Sequence, residues 1–325
     1  MHAPGRLRIG TRGSALALAQ ASLIGDRLRM LGLAVDIETI TTRGDVEQHG
    51  PVAGLGADGV FVREIERALL DRRIDVAVHS LKDLPTAETP GLVVACVPER
   101  ASPFDVLVGR TAPTLAALPS GAVVGTSSVR RVVQVRALRP DVVVRPIRGN
   151  VDTRLRRLDA GDYDAVVLAG AGLERLGLGS RVTEVLRPTA FWPAVSQGAL
   201  GLQVRADDEA ANRALAALDH PASHAAVRAE RACLAALAGG CLAPIGAWGR
   251  EHAGRLLLGA CVLEDHGGVV RRIVAEGETP VGDGSEVSLR AAAESLGTRL
   301  AADLQGRGAG AMLERMRFAA GHPLD

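Results

Sequence analysis

Residues 74–85 read IDVAVHSLKDLP, an apolar run followed by a lysine, an acid and a proline. The run from Ile74 to Val78 predicts a buried β-strand, and Lys82 and Asp83 come just past its carboxyl end. In open α/β sheets, ligands bind outside the carboxyl ends of the strands. Lys82 is also the only lysine among 38 basic residues, which favours a function for its compact ammonium that arginine cannot fill. The alternative interpretation is a surface turn with an incidental ion pair.

The composition limits both the architecture and the partners. A chain of 325 residues exceeds one ordinary core, so two or three domains are expected. Aromatic residues make up only 2% of the sequence, which argues against a platform for stacked bases. The net charge of +1 gives no general attraction to nucleic acid or membranes. We therefore expect a protein that binds neither nucleic acid nor a membrane. A small-molecule substrate is expected, and the oligomeric state stays open with a monomer as the default.

The four cysteines form no C-x-x-C pair, and their spacing predicts neither a disulfide framework nor a zinc site. No metal site is expected elsewhere. The sequence contains no apolar run of membrane-spanning length, and its first residues lack the apolar region of a signal peptide. These features predict a cytoplasmic protein. The cysteines are Cys96, Cys233, Cys241 and Cys261.

Alternating strand and helix patterns predict two α/β domains with largely parallel sheets, over residues 1–99 and 103–193. A strand at residues 200–204, within segment 199–217, is assigned to the first domain. After this segment the pattern changes to a helix, glycine-punctuated alternating strands and a long helix. That pattern predicts a smaller C-terminal α+β domain over residues 220–325.

Residues 43–59 are rich in glycine and show neither helix nor strand periodicity. Such a stretch is either a lid over a site or disordered. Because the surrounding pattern is compact, we favour a lid, which would exclude water from a reaction when it closes.

Arginine and small hydroxyl residues follow several of the predicted strands. Residues 11–14 read TRGS, in which Ser14 is expected to cap the next helix and Arg12 to bind an anion. Residues 123–187 carry 12 arginines against 7 acidic residues. Since parallel strands end at one edge of a sheet, their arginines are expected to line a cleft for a polyanion with several carboxylates. The arginines assigned to this role are Arg12, Arg130, Arg131, Arg148 and Arg154, and those assigned to solvent-exposed helix faces are Arg136, Arg139, Arg156 and Arg157.

Residues 237–246 read LAGGCLAPIG and place Cys241 on a glycine-rich loop. The two glycines permit a tight, exposed turn, and Pro244 rigidifies the chain behind it. Cys241 is therefore the candidate nucleophile or attachment point. The other three cysteines are expected to be buried and inert.

These motifs, in this order, resemble those of the porphobilinogen deaminase (hydroxymethylbilane synthase) family, and the resemblance covers nearly the whole chain. Each motif alone is short, but their joint occurrence in one order is specific. The motifs are RIGTRGSALA at residues 8–17, TRGD at 42–45, HSLKDLP at 79–85, GTSSVRR at 125–131, RGNVDTR at 148–154, ERAC at 230–233 and GGCLAPIG at 239–246.

The resemblance implies two α/β domains like the lobes of a periplasmic binding protein, with the smaller C-terminal α+β domain. It implies a transferase of porphyrin (haem and tetrapyrrole) biosynthesis with a dipyrromethane cofactor, joined to Cys241 by a thioether. Such an enzyme condenses four porphobilinogen units head to tail with loss of ammonia. Water then releases the linear tetrapyrrole hydroxymethylbilane, which is expected to pass to uroporphyrinogen-III synthase.

The resemblance also implies roles for individual residues. Each porphobilinogen carries an acetate and a propionate, which suit arginine forks. Asp83 is the expected catalytic residue, because its carboxylate can stabilise the cationic azafulvene left by ammonia and shuttle protons. Gln197 is expected at the domain hinge, and Arg43–Gly59 form the lid. The implied cofactor contacts are Cys241, Lys82, Asp83, Ser128, Arg130, Arg131, Gly149 and Gly198, and the implied substrate contacts are Arg12, Ser14, Ser80, Ser127, Arg148, Arg154, Arg175 and Gln197.

The chain departs from the family pattern at three positions. Asp58 lies where the family often has a lysine, so the usual lid contact to a substrate carboxylate is lost. Ser196 replaces a common glycine and Ala243 replaces a β-branched residue. Both of these are interpreted as packing changes.

Two other functional classes stay open on the sequence. A non-catalytic carboxylate-binding module of receptor type would need the same arginines, but neither Asp83 nor the Gly-Gly-Cys loop. A nucleic-acid or phosphosugar binder is a weaker alternative, since the charge is near neutral and the sequence has no P-loop or glycine fingerprint.

Overall fold

The computed structural model describes residues 6–42, 62–188, 190–237, 243–281 and 285–319. Within these ranges the chain is mixed α/β, with two five-stranded sheets and one three-stranded sheet. The strands are β1 (Arg6–Thr11), β2 (Ala34–Thr39), β3 (Val76–Ser80), β4 (Leu92–Cys96), β5 (Asp105–Gly109), β6 (Val123–Gly125), β7 (Val143–Arg145), β8 (Ala165–Ala169), β9 (Glu184–Leu186), β10 (Leu200–Arg205), β11 (Ile245–His252), β12 (Arg255–His266) and β13 (Val269–Pro280). The α-helices are α1 (Ala15–Met30), α2 (Arg63–Leu70), α3 (Val129–Leu138), α4 (Val151–Asp159), α5 (Gly170–Arg175), α6 (Glu209–Ala216), α7 (Pro221–Ala236), α8 (Glu286–Gly306) and α9 (Ala309–Ala319).

The described residues form two compact units. The first contains the chain up to Ala101 together with Gly198–His224, and the second contains Ser102–Gln197 together with the chain from Ala225 onward. The second unit therefore holds both the second five-stranded sheet and the three-stranded sheet. The three domain boundaries expected from the sequence stay a prediction.

The first sheet has the order β2-β1-β3-β10-β4 and helices on both faces. Side chains alternate between the faces of a strand, so Val76 and Val78 pack with helices α1 and α6, whereas Ala77 packs with α2. Strand β1 runs parallel to β2 and β3, and only β10 runs the other way. The carboxyl ends of β1 and β3 therefore meet the amino end of β10 at one edge, where Leu200 pairs with Ser80.

The second sheet repeats this arrangement in the order β7-β6-β8-β5-β9. Strand β6 is parallel to β7 and β8, and β5 is antiparallel to β8 and β9. Val135 of α3 packs on one face with Val124 and Val167, and helices α4 and α5 pack on the other. Because β5 is reversed, its first residue, Asp105, lies opposite Ala169 at the carboxyl end of β8.

The three-stranded sheet is an antiparallel meander of β11, β12 and β13. Helices α7, α8 and α9 share an aliphatic core with it. Helix α8 approaches α7 closely at Gly297, where an added Cβ would lie 2.3 Å from the carbonyl oxygen of Ala229. Only glycine fits this crossing, so the cover of the small sheet depends on it.

The observed elements agree with the predicted α/β class and correct several details. The strand expected at residues 74–78 begins at Val76 and continues through Ser80. The two five-stranded sheets are largely parallel, as expected, and each contains one reversed strand that the sequence did not predict. Strands β4, β5 and β9 and helices α6 and α9 have no counterpart in the sequence-based expectation. No helix within the described ranges is long and apolar enough to cross a membrane.

Ser196 stands at a position where the backbone favours the family's glycine, so the exchange affects backbone conformation, and its interpretation as a packing change stays a prediction. The φ angle of Ser196 is 59°, in the left-handed region that glycine adopts most easily. The residue is fully buried, and its backbone N–H donates to Glu230 Oε2 at 2.6 Å. Its hydroxyl has no hydrogen-bond partner in the described part of the chain.

We expect Ser196→Gly to raise the free energy of unfolding by about 1 kcal/mol, because it removes the left-handed Cβ clash. Removal of the unpartnered hydroxyl adds to the gain. The matched control is Ser196→Ala, which removes the hydroxyl but keeps the Cβ, so it should gain less than the glycine variant. Calorimetric unfolding measures both. A glycine variant less stable than the wild type contradicts the assignment of backbone strain.

Candidate functional site

Lys82 and Asp83 lie on a short 3₁₀ turn, Leu81–Asp83, directly after β3. Buried leucines hold this turn at both ends, since Leu81 is 1% exposed and Leu84 is 5% exposed. Gly201 makes room for the first of them, because a Cβ there would lie 2.7 Å from Leu81 Cδ1. The anchored turn presents Lys82 half-buried and Asp83 exposed at the edge of the first sheet.

Three other predicted site residues lie at this same edge. Ser14 caps α1, and its hydroxyl accepts from the Ala17 N–H at 3.3 Å. Ser80 closes β3 and pairs with the side-chain amide of Gln20 at 2.9 Å. Arg12 is half-buried in the turn between β1 and α1. The first edge therefore combines two cations, one carboxylate and several hydroxyl groups.

The Asp83 carboxylate makes no hydrogen bond or ion pair with any other residue that the structure describes. Gly198, also predicted to belong to the site, precedes β10 with a φ of 88°. Since β10 starts at this edge, the left-handed turn at Gly198 belongs to the same border of the sheet. An exposed carboxylate without a partner is available to interact with a cationic group on a ligand.

His79 lies next to this turn and forms a buried hydrogen bond. The sequence analysis did not predict this structural role. Its Nε2 lies 3.0 Å from Gln203 Oε1, and Gln203 Nε2 donates to Glu66 Oε1 at 2.9 Å. Burial lowers the pKa of His79 to about 4, so the ring is neutral at neutral pH. The motif HSLKDLP therefore contains a buried polar residue, His79, besides its buried leucines and its more accessible polar residues.

The carboxyl edge of the second sheet gathers another set of predicted site residues. The Ser127 hydroxyl donates to the Ile147 carbonyl at 2.8 Å and accepts from the Ile147 N–H at 3.0 Å. This pair ties the loop after β6 to the loop after β7. Gly149 has a φ of 99°, and a Cβ there would lie 2.7 Å from Thr153 Cγ2, so the position requires glycine. Ser128 is half-buried at the start of α3.

Arg154 and Arg175 are partly buried cations at this edge. The pKa of each is lowered to about 10, by burial at Arg175 and by burial together with the nearby positive charge of Arg131 at Arg154. Arg154 Nε donates to the Gly149 carbonyl at 2.8 Å, but the side chain forms no ion pair with any described residue. A partly buried guanidinium without an acidic partner among the described residues, as at Arg154, is suited to pair with an anion.

Arg130 and Arg131 share a buried partner, Asp105, that the sequence analysis missed. Arg130 Nη1 lies 2.7 Å from Asp105 Oδ2, and Arg131 Nη2 lies 2.7 Å from Asp105 Oδ1. The two guanidiniums hold the pKa of the fully buried Asp105 at about 2, although burial alone would raise it. The available signal was an acid at the start of an apolar run, DVLVG at residues 105–109.

The remaining predicted residues of the second unit differ in their environment. Gln197 is buried, and its Nε2 donates to the Pro103 carbonyl at 2.8 Å. Arg148 is exposed in the loop after β7. Arg139 was wrongly assigned to a solvated face, because its side chain is only 16% exposed, bonds Asp141 and donates to three backbone carbonyls.

Cys241, the lid Arg43–Gly59 and Asp58 within it lie outside the described residues. The other three cysteines are buried, as expected. Burial raises the pKa of the Cys233 and Cys261 thiols to about 12 and raises that of Cys96 as well. These three are therefore inert as thiolates near neutral pH.

We expect Arg154→Gln to raise the midpoint of thermal unfolding by about 2 °C in low-salt buffer without added anions, because it removes a buried like charge. The matched control is Arg156→Gln, since this arginine lies on the same helix with 75% of its side chain exposed. The control should leave the midpoint unchanged. If the unfolding midpoint of Arg154→Gln is lower than that of the control, the Arg154 charge does not destabilise the protein and the assignment is contradicted.

Comparisons with known proteins agree with the motifs. A family model described as the porphobilinogen deaminase, dipyromethane cofactor binding domain matches residues 7–213, and one described as its C-terminal domain matches residues 224–305. A porphobilinogen deaminase from Thermus thermophilus is 49% identical over 312 residues, covering 95% of this chain and 98% of the relative. One from Roseiflexus sp. is 51% identical over 267 residues, covering 82% of this chain and 88% of the relative.

A search of solved structures finds a periplasmic substrate-binding protein of an ABC transporter from Coxiella burnetii, with a TM-score of 0.42 and 17% identity. The likeness covers 69% of this chain and 96% of that one. The family is decided by the sequence relatives and the two family models, which together span most of the chain. The chain belongs to the porphobilinogen deaminase family, transferases with a dipyrromethane cofactor.

Proposed function

We propose that the chain is a hydroxymethylbilane synthase. It condenses four porphobilinogen units head to tail, with loss of ammonia, on a dipyrromethane primer attached to Cys241, and water then releases the linear tetrapyrrole. The observation that carries this proposal is the partly buried guanidinium of Arg154 at the edge of the second sheet, which lies near the positive charge of Arg131 and forms no ion pair with any described residue. A chain of pyrroles, each bearing an acetate and a propionate, is the polyanion that such a set of guanidiniums suits.

The arginines at the edge of the second sheet have the charge that a dipyrromethane requires. Two linked pyrrole units carry four carboxylates, and Arg154 is a partly buried cation beside Arg131 with no acidic partner among the described residues. That arrangement gains stability only when an anion is added. The proposed cofactor contacts are Lys82, Asp83, Ser128, Arg130, Arg131, Gly149 and Gly198, with Cys241 as the covalent link.

The proposed substrate contacts present guanidiniums, hydroxyls and one amide. Arginine can hold a carboxylate through two parallel N–H bonds, and a serine hydroxyl can donate a further one. Ser14 and Ser80 already use part of their capacity within the protein, so they serve as secondary donors. The contacts proposed are Arg12, Ser14, Ser80, Ser127, Arg148, Arg154, Arg175 and Gln197, and the proposed lid is Arg43–Gly59.

Asp83 is proposed as the catalytic residue. When bound, the dipyrromethane supplies the anchored pyrrole end to which the substrate is joined. Loss of ammonia leaves positive charge on the incoming pyrrole, and the Asp83 carboxylate is proposed to stabilise that charge and to carry the proton. The support is that Asp83 is exposed on an anchored turn and makes no ion pair within the described residues. Lys82 beside it would hold a substrate carboxylate as a point charge.

The receptor-type alternative would use the same arginines without chemistry. It is not favoured, since the relatives that match over most of the chain are porphobilinogen deaminases. The monomeric state, the transfer of product to uroporphyrinogen-III synthase and the cytoplasmic location stay predictions from the sequence.

We expect Cys241→Ser to remove a mass increment equal to two linked pyrrole units, because the thioether needs the thiol. Intact-mass spectrometry of the purified proteins measures this directly. The matched control is Cys233→Ser, a buried thiol that should leave the increment in place. An increment that maps to Cys233 or Cys261 refutes the assignment. A wild-type chain that gains no pyrrole mass on incubation with porphobilinogen refutes the proposed function.

We expect Asp83→Asn to carry the cofactor but to consume porphobilinogen at least about 100-fold more slowly, the usual contribution of an acid or base. The variant keeps the shape of the side chain and removes only the charge. Asp71→Asn is a suitable control, since Asp71 is an exposed acid of the same unit and pairs only weakly with Arg67 at 3.6 Å. Turnover of Asp83→Asn within a factor of about 2 of the wild type contradicts the catalytic role.

A further inference from the structure

We propose that Asp105 is a positioning residue of the anion site: its buried carboxylate holds Arg130 and Arg131 in place and leaves the pair with one net positive charge. The inference rests on the proposed function, because it assigns those arginines to the dipyrromethane. Asp105 would touch neither cofactor nor substrate and would act through the two guanidiniums.

The fold brings Asp105 to the site edge through the reversal of one strand. Asp105 is the first residue of β5, and β5 runs antiparallel to its neighbour β8. The amino end of β5 therefore lies at the same edge as the carboxyl ends of β6 and β8. The acid is 0% exposed, so it lies beneath the edge while the arginines reach it from α3.

Each carboxylate oxygen serves one arginine. Arg130 Nη1 is 2.7 Å from Oδ2, and Arg131 approaches Oδ1 through Nη2 at 2.7 Å and Nε at 2.9 Å. Each guanidinium also has a second fixed point, since Arg130 donates to the Trp192 carbonyl and Arg131 Nη1 donates to the Val167 carbonyl at 3.0 Å. A guanidinium bonded at two points has lost its rotational freedom before any ligand arrives, which lowers the entropic cost of binding.

The network also includes the residue expected at the hinge. Gln197 Nε2 donates to Asp105 Oδ1 at 3.1 Å and to the Pro103 carbonyl at 2.8 Å. Gln197 is the last residue of the second unit before the chain enters the first. Asp105 thus fixes the arginines to both segments at which the chain changes unit, next to Ser102 and next to Gln197.

The charge of the pair is reduced but not cancelled. Two guanidiniums and one carboxylate leave a single positive charge, and Arg131 still lowers the pKa of Arg154. Without Asp105, two buried cations would repel each other without the carboxylate that pairs with both. With Asp105 in place, the two guanidiniums stay buried and oriented, and their net positive charge still attracts an anion.

The chain offers its own structural control in Asp75. This acid is also buried and also pairs with two arginines, Arg8 at 2.9 Å and Arg205 at 3.2 Å. It precedes β3, so it lies at the amino end of that strand, opposite the edge that carries Lys82. Substitution of Asp75 therefore measures, in the same molecule, the effect of losing a buried aspartate that only stabilises the fold.

The experiment compares Asp105→Asn, Asp105→Glu and Asp75→Asn with the wild type, each as the full chain. Intact-mass spectrometry gives the fraction of molecules that carry the two-pyrrole increment, before and after incubation with porphobilinogen, and circular dichroism reports folding. We expect both Asp105 variants to need about tenfold more porphobilinogen for half loading, the factor that one charge-assisted hydrogen bond contributes. Asp75→Asn should load like the wild type even where its unfolding midpoint falls.

The two Asp105 variants separate orientation from charge. Removal of the acid raises the local positive charge, so a role in charge alone predicts tighter loading for Asp105→Asn and unchanged loading for Asp105→Glu. Those results, or an equal loss in Asp75→Asn, overturn the positioning role. If Asp105→Asn does not fold, the positioning role is tested by comparing the porphobilinogen concentration for half loading between Asp105→Glu and Asp75→Asn. A wild-type chain that never gains the increment overturns the proposed function, and the role of Asp105 with it.

Discussion

The arrangement of polar residues in the second unit depends on the two buried ion pairs of Asp105. A fully buried acid stays ionised only beside cations, and here two guanidiniums from one helix, those of Arg130 and Arg131, supply the compensation. The same guanidiniums bond backbone carbonyls of other segments, including that of Trp192. One acid therefore connects strand β5, helix α3, strand β8 and the segment that ends at Gln197. Removing one partner of such a group leaves an uncompensated charge, so its members depend on one another.

Partly buried arginines at the edge of the second sheet reduce the stability of the protein, and a bound anion would offset this loss. Burial lowers the pKa of Arg154 and of Arg175, which shows that each charge is held partly away from water. Arg154 has no acidic partner among the described residues, in contrast to most arginines of the chain. Other arginines form ion pairs both at the surface and in the interior, so the lack of a described ion pair at Arg154 coincides with the place where an anion is expected. Stability and function therefore oppose each other at this position.

The positions of Lys82, Asp83 and the serines after β6 could be predicted from the sequence, because strand ends need only a local pattern and the rule that parallel strands share an edge. The partner of Arg130 could not, since Asp105 lies 25 residues earlier and reaches it only because β5 is reversed. Local patterns do not give the direction of a strand. Similarly, a serine does not by itself indicate the left-handed backbone at Ser196, and only the glycine that the family commonly has there pointed to it. Thus the polar residues at strand ends were predictable, whereas their internal supports were not.

The turn that carries Lys82 has a consequence for observation of the molecule in solution. The chain contains a single lysine, so its one ε-ammonium group lies on the 3₁₀ turn at the border of the first sheet. Protein grown with isotope-labelled lysine therefore gives one side-chain NMR signal, already assigned by composition. Arg12 and Asp83 lie at the same border, and a charge arriving there changes the field at that nitrogen. The chain thus contains its own site-specific reporter, with no engineered label.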